Sequence, residues 1–247
     1  MKNKILVSAV LLGLTSTAVS AATLNIREEF TPRYDSQSAA HKQRVAVDHR
    51  FKNGVGFGVE VKWKGDNEDA FGEQKSNGHQ ANISYLYKLN DKWSLKPQYK
   101  WESNSTQIGH QLNLTLGYKV NSDWAVSFRH RYHYDNPVPS KGKTNSHYNR
   151  WTFAFGYSGI EDWKFGGSLD YTFNSTEKGP RWKDHKAWFS ELNFTGEYKG
   201  FESGWRPFME VGFVPYKSGQ EYDFNGTTDA QNDKWRPRFR VGLKYNF

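Results

Sequence analysis

The last nine residues of the chain alternate between apolar side chains and polar or small ones. The apolar positions are Phe239, Val241, Leu243, Tyr245 and Phe247. Because successive side chains of a β-strand point to opposite faces, this pattern predicts a strand with one apolar and one polar face. The pattern recurs upstream as far as Leu24. A chain composed of such strands is expected to close into a membrane barrel whose apolar face is turned outward.

The alternation divides the chain into twelve predicted strands. They span about residues 23–31, 43–51, 55–64, 79–89, 93–102, 109–119, 124–134, 148–157, 163–173, 186–198, 205–216 and 235–247. Short connections rich in Asn, Asp and Gly alternate with longer ones, as periplasmic turns and external loops do in outer-membrane barrels. The predicted fold is therefore all-β, a 12-stranded antiparallel transmembrane β-barrel.

Aromatic residues mark one rim of this barrel independently of the alternation. Four upward strands begin with tryptophan, at Trp93, Trp124, Trp163 and Trp205. Downward strands end on aromatic residues, at Phe51, Tyr118, Tyr157, Tyr198 and Phe247. Aromatic girdles are typical of membrane interfaces. A soluble β-sandwich would explain the alternation but not such rims.

The first 21 residues have a different character. Lys2 and Lys4 precede an apolar run over residues 5–14, and small residues follow at 19–21. This order is typical of a secretory signal peptide, and the apolar run is shorter than the ~20 residues of a membrane-spanning helix. We therefore expect a signal peptide over residues 1–21 and a single barrel domain over residues 22–247.

Composition agrees with a barrel that has a polar interior. The mean hydropathy of −0.87 would suit a disordered chain, but ten tryptophans and 17% aromatic residues do not. The chain has no cysteine and a formal net charge of +8. A basic chain is often a nucleic-acid binder. Here the basic residues are predicted inside a barrel too narrow for a duplex, so no nucleic-acid partner is expected.

The polar face of the strands carries two rows of basic side chains. The first basic row, on predicted strands twelve, one and two, comprises Arg236, Arg238, Arg240, Arg27, Arg44 and Arg50. The second basic row, on strands five to eight, comprises Lys96, Lys100, Lys119, Arg129, Arg131 and Arg150. Closure of the barrel places the two rows on opposite walls. Inward acidic residues are expected between them, at Asp170, Glu191, Glu197 and Glu210, which would create a dipole across the pore.

Rows of Arg and Lys select anions in pores, and the arginine fork holds carboxylates well. The alternative for any single arginine is a salt bridge that merely fills a narrow barrel.

Three segments support a family resemblance: residues 24–30 (LNIREEF), residues 128–132 (FRHRY) and the end from Arg238 to Phe247. With the signal peptide and twelve strands, they resemble the oligogalacturonate-specific porin family (KdgM type), which also includes a sialic-acid channel. The resemblance implies a monomeric outer-membrane barrel that passes acidic sugars along arginine tracks. It also implies that Phe247 is the signal for the barrel-assembly machinery. The implied track residues are Arg27, Arg129, Arg131, Arg236, Arg238 and Arg240.

Two other classes of function remain open from the residues. A lipid hydrolase would need an outward serine beside His130 and Asn149, and none is predicted there. A peptidase would need carboxylates and a histidine at a diagnostic spacing, which Asp66, Glu68, Asp69 and His79 do not show. A structural barrel or adhesin could be plugged by a loop such as residues 217–234.

We therefore expect a passive channel for acidic oligosaccharides, chiefly oligogalacturonates or related oligouronates. It would lie in the outer membrane among lipid and lipopolysaccharide. No enzyme activity, cofactor or metal is expected.

Overall fold

The computed structural model describes residues 22–33, 39–65, 74–138, 145–174, 187–215 and 235–247. Three features considered above lie outside these ranges: the predicted signal peptide, the acidic residues at 66–69 and the loop at 217–234.

The described residues form twelve strands that agree with the predicted pattern. The strands are β1 (Ala22–Thr31), β2 (Ala40–Arg50), β3 (Val55–Gly65), β4 (Lys75–Tyr85, continued by Tyr87–Lys88), β5 (Trp93–Ser103), β6 (Gln107–Lys119), β7 (Trp124–Pro137), β8 (Ser146–Tyr157), β9 (Trp163–Asn174), β10 (Ala187–Tyr198), β11 (Trp205–Pro215) and β12 (Trp235–Asn246). Several extend further toward the external end than predicted. The alternation weakens there because the outer face no longer needs to be apolar above the hydrocarbon layer.

One predicted strand is interrupted. The segment predicted over residues 79–89 breaks at Leu86. The Leu86 amide donates to the Gly54 carbonyl at 2.9 Å, across the β2–β3 turn. Gly54 has a φ of 94°, a backbone conformation that glycine adopts without steric cost. The break therefore results from contact with this turn.

The strands close into a barrel within one chain. Each strand pairs antiparallel with its neighbours in sequence, and β1 pairs with β12 from Thr23↔Asn246 to Phe30↔Phe239. Pairing of β4 with β5 completes the ring. The Phe247 amide also donates to the Ala22 carbonyl at 2.9 Å. The prediction of a closed 12-stranded antiparallel barrel is confirmed.

The two faces of the sheet are opposite in character to those of a soluble protein. Large apolar side chains on the outer face are exposed, for example Leu112, Leu114 and Phe153. Buried polar residues on the inner face include Glu29, Asn113 and Arg238. The described residues contain no helix that is long and apolar enough to cross a membrane.

Tryptophan–tyrosine pairs order the rim at the short turns. Ring centroids of Trp93 and Tyr118 are 4.5 Å apart, and those of Trp124 and Tyr157 are 4.6 Å apart. Trp163–Tyr198 and Trp205–Tyr245 repeat the arrangement. Each pair joins the first residue of an upward strand to an adjacent strand. The predicted aromatic rim is therefore present.

Candidate functional site: the charged inner wall

The inward side chains of β5 to β8 are aligned in levels by the strand register. Above the Ser94–Gly117–Ser127–Ala154 level at the short-turn rim, three levels follow: Lys96–Thr115–Arg129–Thr152, Gln98–Asn113–Arg131–Arg150 and Lys100–Gln111–His133–Tyr148. The next level toward the external end contains Glu102, Gly109, Asp135 and Ser146. Successive levels are two residues apart on each strand, or roughly 6.8 Å. The wall therefore changes from basic near the periplasmic rim to acidic near the external end.

Four side chains of the second basic row form a patch without ion pairs, which we call the basic patch: Lys96, Lys100, Arg129 and Arg131. Arg129 donates to Thr152 Oγ1 at 2.8 Å, and Arg131 donates to Asn113 Oδ1 at 2.8 Å. Lys100 donates to Gln80 Oε1 at 3.2 Å. Among the described residues, no carboxylate oxygen lies within 4.0 Å of these four cations. Neutral partners hold Lys100, Arg129 and Arg131 in place, and in the described residues none of the four cations has a carboxylate in direct contact.

The other two members of the second row differ. Arg150 donates to Asp170 Oδ2 at 3.4 Å and to Thr172 Oγ1 at 3.1 Å. Its guanidinium also lies 5.4 Å from the ring centroid of Tyr148. Lys119 is the last residue of β6 and is exposed at the rim. The basic patch therefore has Arg150 beside it and Lys119 below it.

The opposite wall is an ion-pair network formed by Glu29, Glu191, Glu210, Arg238 and Arg240. Arg240 contacts Glu29 at 2.6 Å and Glu210 at 2.5 Å. Arg238 is only 6% exposed and donates to Asn193 Oδ1 at 2.7 Å and Glu191 Oε2 at 3.1 Å. Each arginine thus lies between carboxylates, and this network compensates most of the local charge.

The remaining residues of the first basic row also have partners. Arg44 pairs with Glu60 at 3.1 Å, and Arg27 lies 3.9 Å from Glu29. Arg50 donates to the Gly54 carbonyl at 2.7 Å and to Ser84 Oγ at 3.1 Å. Arg236 occupies the same face of β12, opposite Val214 of β11.

The four acidic residues lie on β9, β10 and β11, between the two basic rows as expected, but each is ion-paired with an arginine or lysine of the inner wall. Neighbouring strands are only ~4.8 Å apart, so inward carboxylates on β1, β10 and β11 reach the arginines of β12 directly. The two basic rows consequently differ in character: the first is largely ion-paired, and the basic patch of the second is not.

Comparison with known proteins identifies the family. The family model described as "Oligogalacturonate-specific porin protein (KdgM)" matches residues 15–247. The chain belongs to the KdgM porin family. The oligogalacturonate-specific porin KdgM of Dickeya dadantii (strain 3937) is 32% identical over 254 residues, covering 100% of both chains. The N-acetylneuraminic acid outer membrane channel protein NanC of Escherichia coli (strain K12) is 25% identical, covering 99% of this chain and 98% of the relative.

Solved structures agree with this assignment. Two structures of the KdgM porin, one of them in complex with disordered oligogalacturonate, match with a TM-score of 0.63 and 23% identity. They cover 91% of this chain and 99% of the matched chain. The resemblance noted in the sequence is confirmed. The chain is a KdgM-type porin of the bacterial outer membrane and acts as a channel, not as an enzyme.

The outward histidine that raised the question of a hydrolase has a different partner. His130 Nε2 lies 3.0 Å from Asn149 Oδ1 on the next strand. Within the described ranges, no serine hydroxyl bonds to His130. His79 packs against Trp101, with ring centroids 5.4 Å apart. Both outward histidines therefore pack within the outer face of the barrel.

Sequence analysis missed one group on the inner wall. Glu102, His133 and Asp135 converge at the external end of β5 and β7. The alternation of strands five and seven predicts that Glu102 and His133 face inward, but not that they meet. The register between β5, β6 and β7, which the isolated strand patterns do not give, brings them together.

Proposed function

We propose that this KdgM-type porin is a passive, anion-selective channel for acidic oligosaccharides, with oligogalacturonates or related oligouronates as its substrates. The observation that carries the proposal is the basic patch: neutral partners hold three of its four cations, and none of the four has a carboxylate within 4.0 Å in the described residues. A cation without an ion pair attracts the carboxylate of a substrate more strongly than an arginine that is already paired with a glutamate. We propose the first basic row and Arg150 as the surrounding wall of this path.

The spacing of the patch suits a chain of carboxylates. Lys96 and Arg129 lie on the same level, two strands apart, and Arg131 lies one level above. A polyanion can pass from one cation to the next along such a series, because no single site binds it tightly enough to trap it. Arginine can accept each carboxylate bidentately, which adds orientation to attraction.

The interior contains space between the first basic row and strands β8 and β9. A cavity of about 350 Å³ has Arg27 and Arg44 on one side and Gly156, Lys164 and Gly166 on the other. Since these residues belong to separated parts of the ring, side chains do not fill the cross-section there. This supports a lumen that the described side chains leave open at that level.

The names of the relatives support the substrate class. The relative that is 32% identical is named for oligogalacturonate, and the relative that is 25% identical is named for N-acetylneuraminic acid. Both ligands carry carboxylates. We assign oligogalacturonate to this chain because the greater identity and the family model point in that direction.

The remaining parts of the proposal concern biogenesis and assembly. Closure within one chain supports a monomeric pore, because no partner is needed to complete the lumen. We propose that residues 1–21 are removed on export. We also propose that Phe247, at the end of β12, is read by the assembly machinery, and that lipid and lipopolysaccharide cover the apolar outer face.

The proposal can be tested by uptake into liposomes that contain the purified protein. We expect trigalacturonate to enter faster than neutral maltotriose, and Arg129→Gln to remove most of this difference. Lys119→Gln is the matched control, because Lys119 is exposed at the rim outside the patch. N-acetylneuraminate in parallel distinguishes the two substrate classes. Equal rates for charged and neutral trisaccharides through the wild-type barrel would refute the proposal.

A further inference from the structure

Two carboxylates and a buried histidine meet where the acidic level of the inner wall overlies the basic patch. His133 Nε2 lies 2.8 Å from Asp135 Oδ1 and 3.7 Å from Glu102 Oε1. The three donor atoms lie within 4.8 Å of one another, and His133 is 4% exposed. We call this group the Glu102–His133–Asp135 cluster.

The two carboxylates of the cluster lack the partners that other inward acids have. Six inward acidic residues contact Lys or Arg within 4.0 Å: Glu29, Glu60, Asp170, Glu191, Glu197 and Glu210. In the described part of the chain, no Lys or Arg nitrogen comes that close to Glu102 or Asp135. Carboxylate and imidazole groups are ligands that divalent metal ions use in proteins. Here two carboxylates and one imidazole converge, and no Lys or Arg of the described residues contacts the carboxylates.

The backbone provides the space for this convergence. Gly109 lies between Glu102 and Asp135 in the strand register. A Cβ atom at Gly109 would lie 3.0 Å from Glu102 Oε1 and 3.1 Å from Asp135 Oδ1. Any larger residue would therefore force the two oxygens aside. The absence of a side chain at this position creates the cradle in which they meet.

The surrounding hydrogen bonds suit a metal-binding imidazole. Tyr148 Oη lies 2.8 Å from His133 Nδ1, and Gln107 Nε2 donates to Asp135 Oδ1 at 2.7 Å. Metal-binding histidines usually donate their second ring N–H to an oxygen, which orients the ring. Without a metal, Nε2 donates to Asp135 Oδ1 at 2.8 Å. If the tyrosine hydroxyl accepts the Nδ1 proton instead, the Nε2 lone pair becomes available to an ion. Gln107 likewise fixes the carboxylate of Asp135.

We propose that Glu102, His133 and Asp135 form a binding site for a zinc-class divalent metal ion at the external end of the lumen. A tetrahedral zinc ion with ligands at ~2.1 Å needs ligand atoms roughly 3.4 Å apart. The observed 2.8 Å and 3.7 Å separations require shifts of only about half an ångström to reach that value. Three protein ligands leave at least one position for water.

The ion would also change the charge at the channel entrance. Unoccupied, the cluster brings two carboxylates to the level above the basic patch, where they repel an incoming anion. A bound divalent ion neutralises both. This consequence depends on the proposed function, whereas metal binding itself does not.

Zinc binding is tested by calorimetric titration of the tag-free, refolded barrel with ZnCl₂, with CaCl₂ in parallel. We expect one zinc site per chain and weaker calcium binding, because imidazole favours zinc. Asp135→Asn and His133→Gln are expected to weaken this site by roughly 100-fold, and Tyr148→Phe by about 10-fold through loss of ring orientation. Unchanged affinity in Asp135→Asn and His133→Gln, or no zinc binding to the wild type, would overturn the proposal.

Two glycine variants keep the test independent of folding defects. Gly109→Ala retains all three ligands but fills the cradle, and the atoms it meets belong to flexible side chains. We expect it to fold and to lose at least about 10-fold in zinc affinity, comparable to the loss of a supporting interaction. Gly117→Ala, on the same strand and face, meets Ser94 Oγ and should bind zinc normally. Equal affinities in the two variants would contradict the assignment.

The effect on conduction is measured separately. If the proposed function is correct, external ZnCl₂ should increase anion preference in the wild type and in Gly117→Ala but not in Asp135→Asn. Zinc binding without this effect would leave the metal site in place and refute its link to substrate entry. Calorimetry thus distinguishes failure of the site from failure of the proposed function.

Discussion

Arg238 and Arg131 both lie on the inner wall, but their surroundings predict different roles. Arg238 contacts Asn193 and Glu191, with Glu210 at 3.6 Å. Arg238→Gln would leave these groups buried without their shared cation. Breaking a buried ion pair costs about 3–5 kcal/mol. Because Glu29 and Glu210 keep Arg240, we expect the lower end, about 3 kcal/mol.

Arg131 should behave in the opposite way. Its one described hydrogen bond goes to Asn113, and its charged neighbours Arg129 and Arg150 repel it. Arg131→Gln should therefore change the unfolding free energy by less than about 1 kcal/mol. It should nevertheless shift the reversal potential toward cations, because it removes an uncompensated positive charge from the channel.

Both properties can be measured on the same preparations. Guanidinium unfolding in phospholipid vesicles, followed by tryptophan fluorescence, gives the stability of each variant. The reversal potential in a KCl gradient gives its selectivity. The reasoning would be refuted if Arg131→Gln destabilised the barrel as much as Arg238→Gln, or if Arg238→Gln changed selectivity more than Arg131→Gln.

Two further predictions concern closure and the lipid face. A Cβ at Gly242 would lie 2.3 Å from the Ile26 carbonyl oxygen at the β1–β12 seam, so Gly242→Ala should cost about 1–3 kcal/mol in vesicle unfolding. Gly156→Ala, whose Cβ has no atom nearer than 3.9 Å, is its control, and equal stability would contradict the seam argument. Leu114 is 47% exposed in the middle of β6, so Leu114→Arg should cost about 2–4 kcal/mol, against about 0–1 for Val120→Arg at the rim. A cost independent of depth would show that Leu114 does not face the hydrocarbon layer.

The barrel and its two faces were predictable because both follow from local patterns. A period of two fixes the direction of every side chain along a strand, and a one-residue slip would expose the opposite set. The tryptophans at positions 93, 124, 163 and 205 predicted the first residues of four strands, and the structure has strands that begin at these residues. The break at Leu86 was not predictable, because it depends on contact with a neighbouring turn.

Charge pairing on the inner wall was less accessible from the sequence. Glu29 and Arg240 are 211 residues apart and meet only because β1 pairs with β12. No local turn sets the register of that seam. The Glu102–His133–Asp135 cluster likewise depends on the register of three strands. Alternation therefore gave the set of inward residues but not their partners, which decide whether an arginine stabilises the wall or remains uncompensated.

The central claim is that uncompensated cations in this KdgM-type porin carry acidic oligosaccharides. Single-channel recording of the refolded wild-type barrel, with and without trigalacturonate, tests it most directly. The account predicts anion-selective openings that trigalacturonate interrupts in a concentration-dependent manner. Openings that show no anion preference and are insensitive to trigalacturonate, or no current from a verified folded barrel, would contradict it.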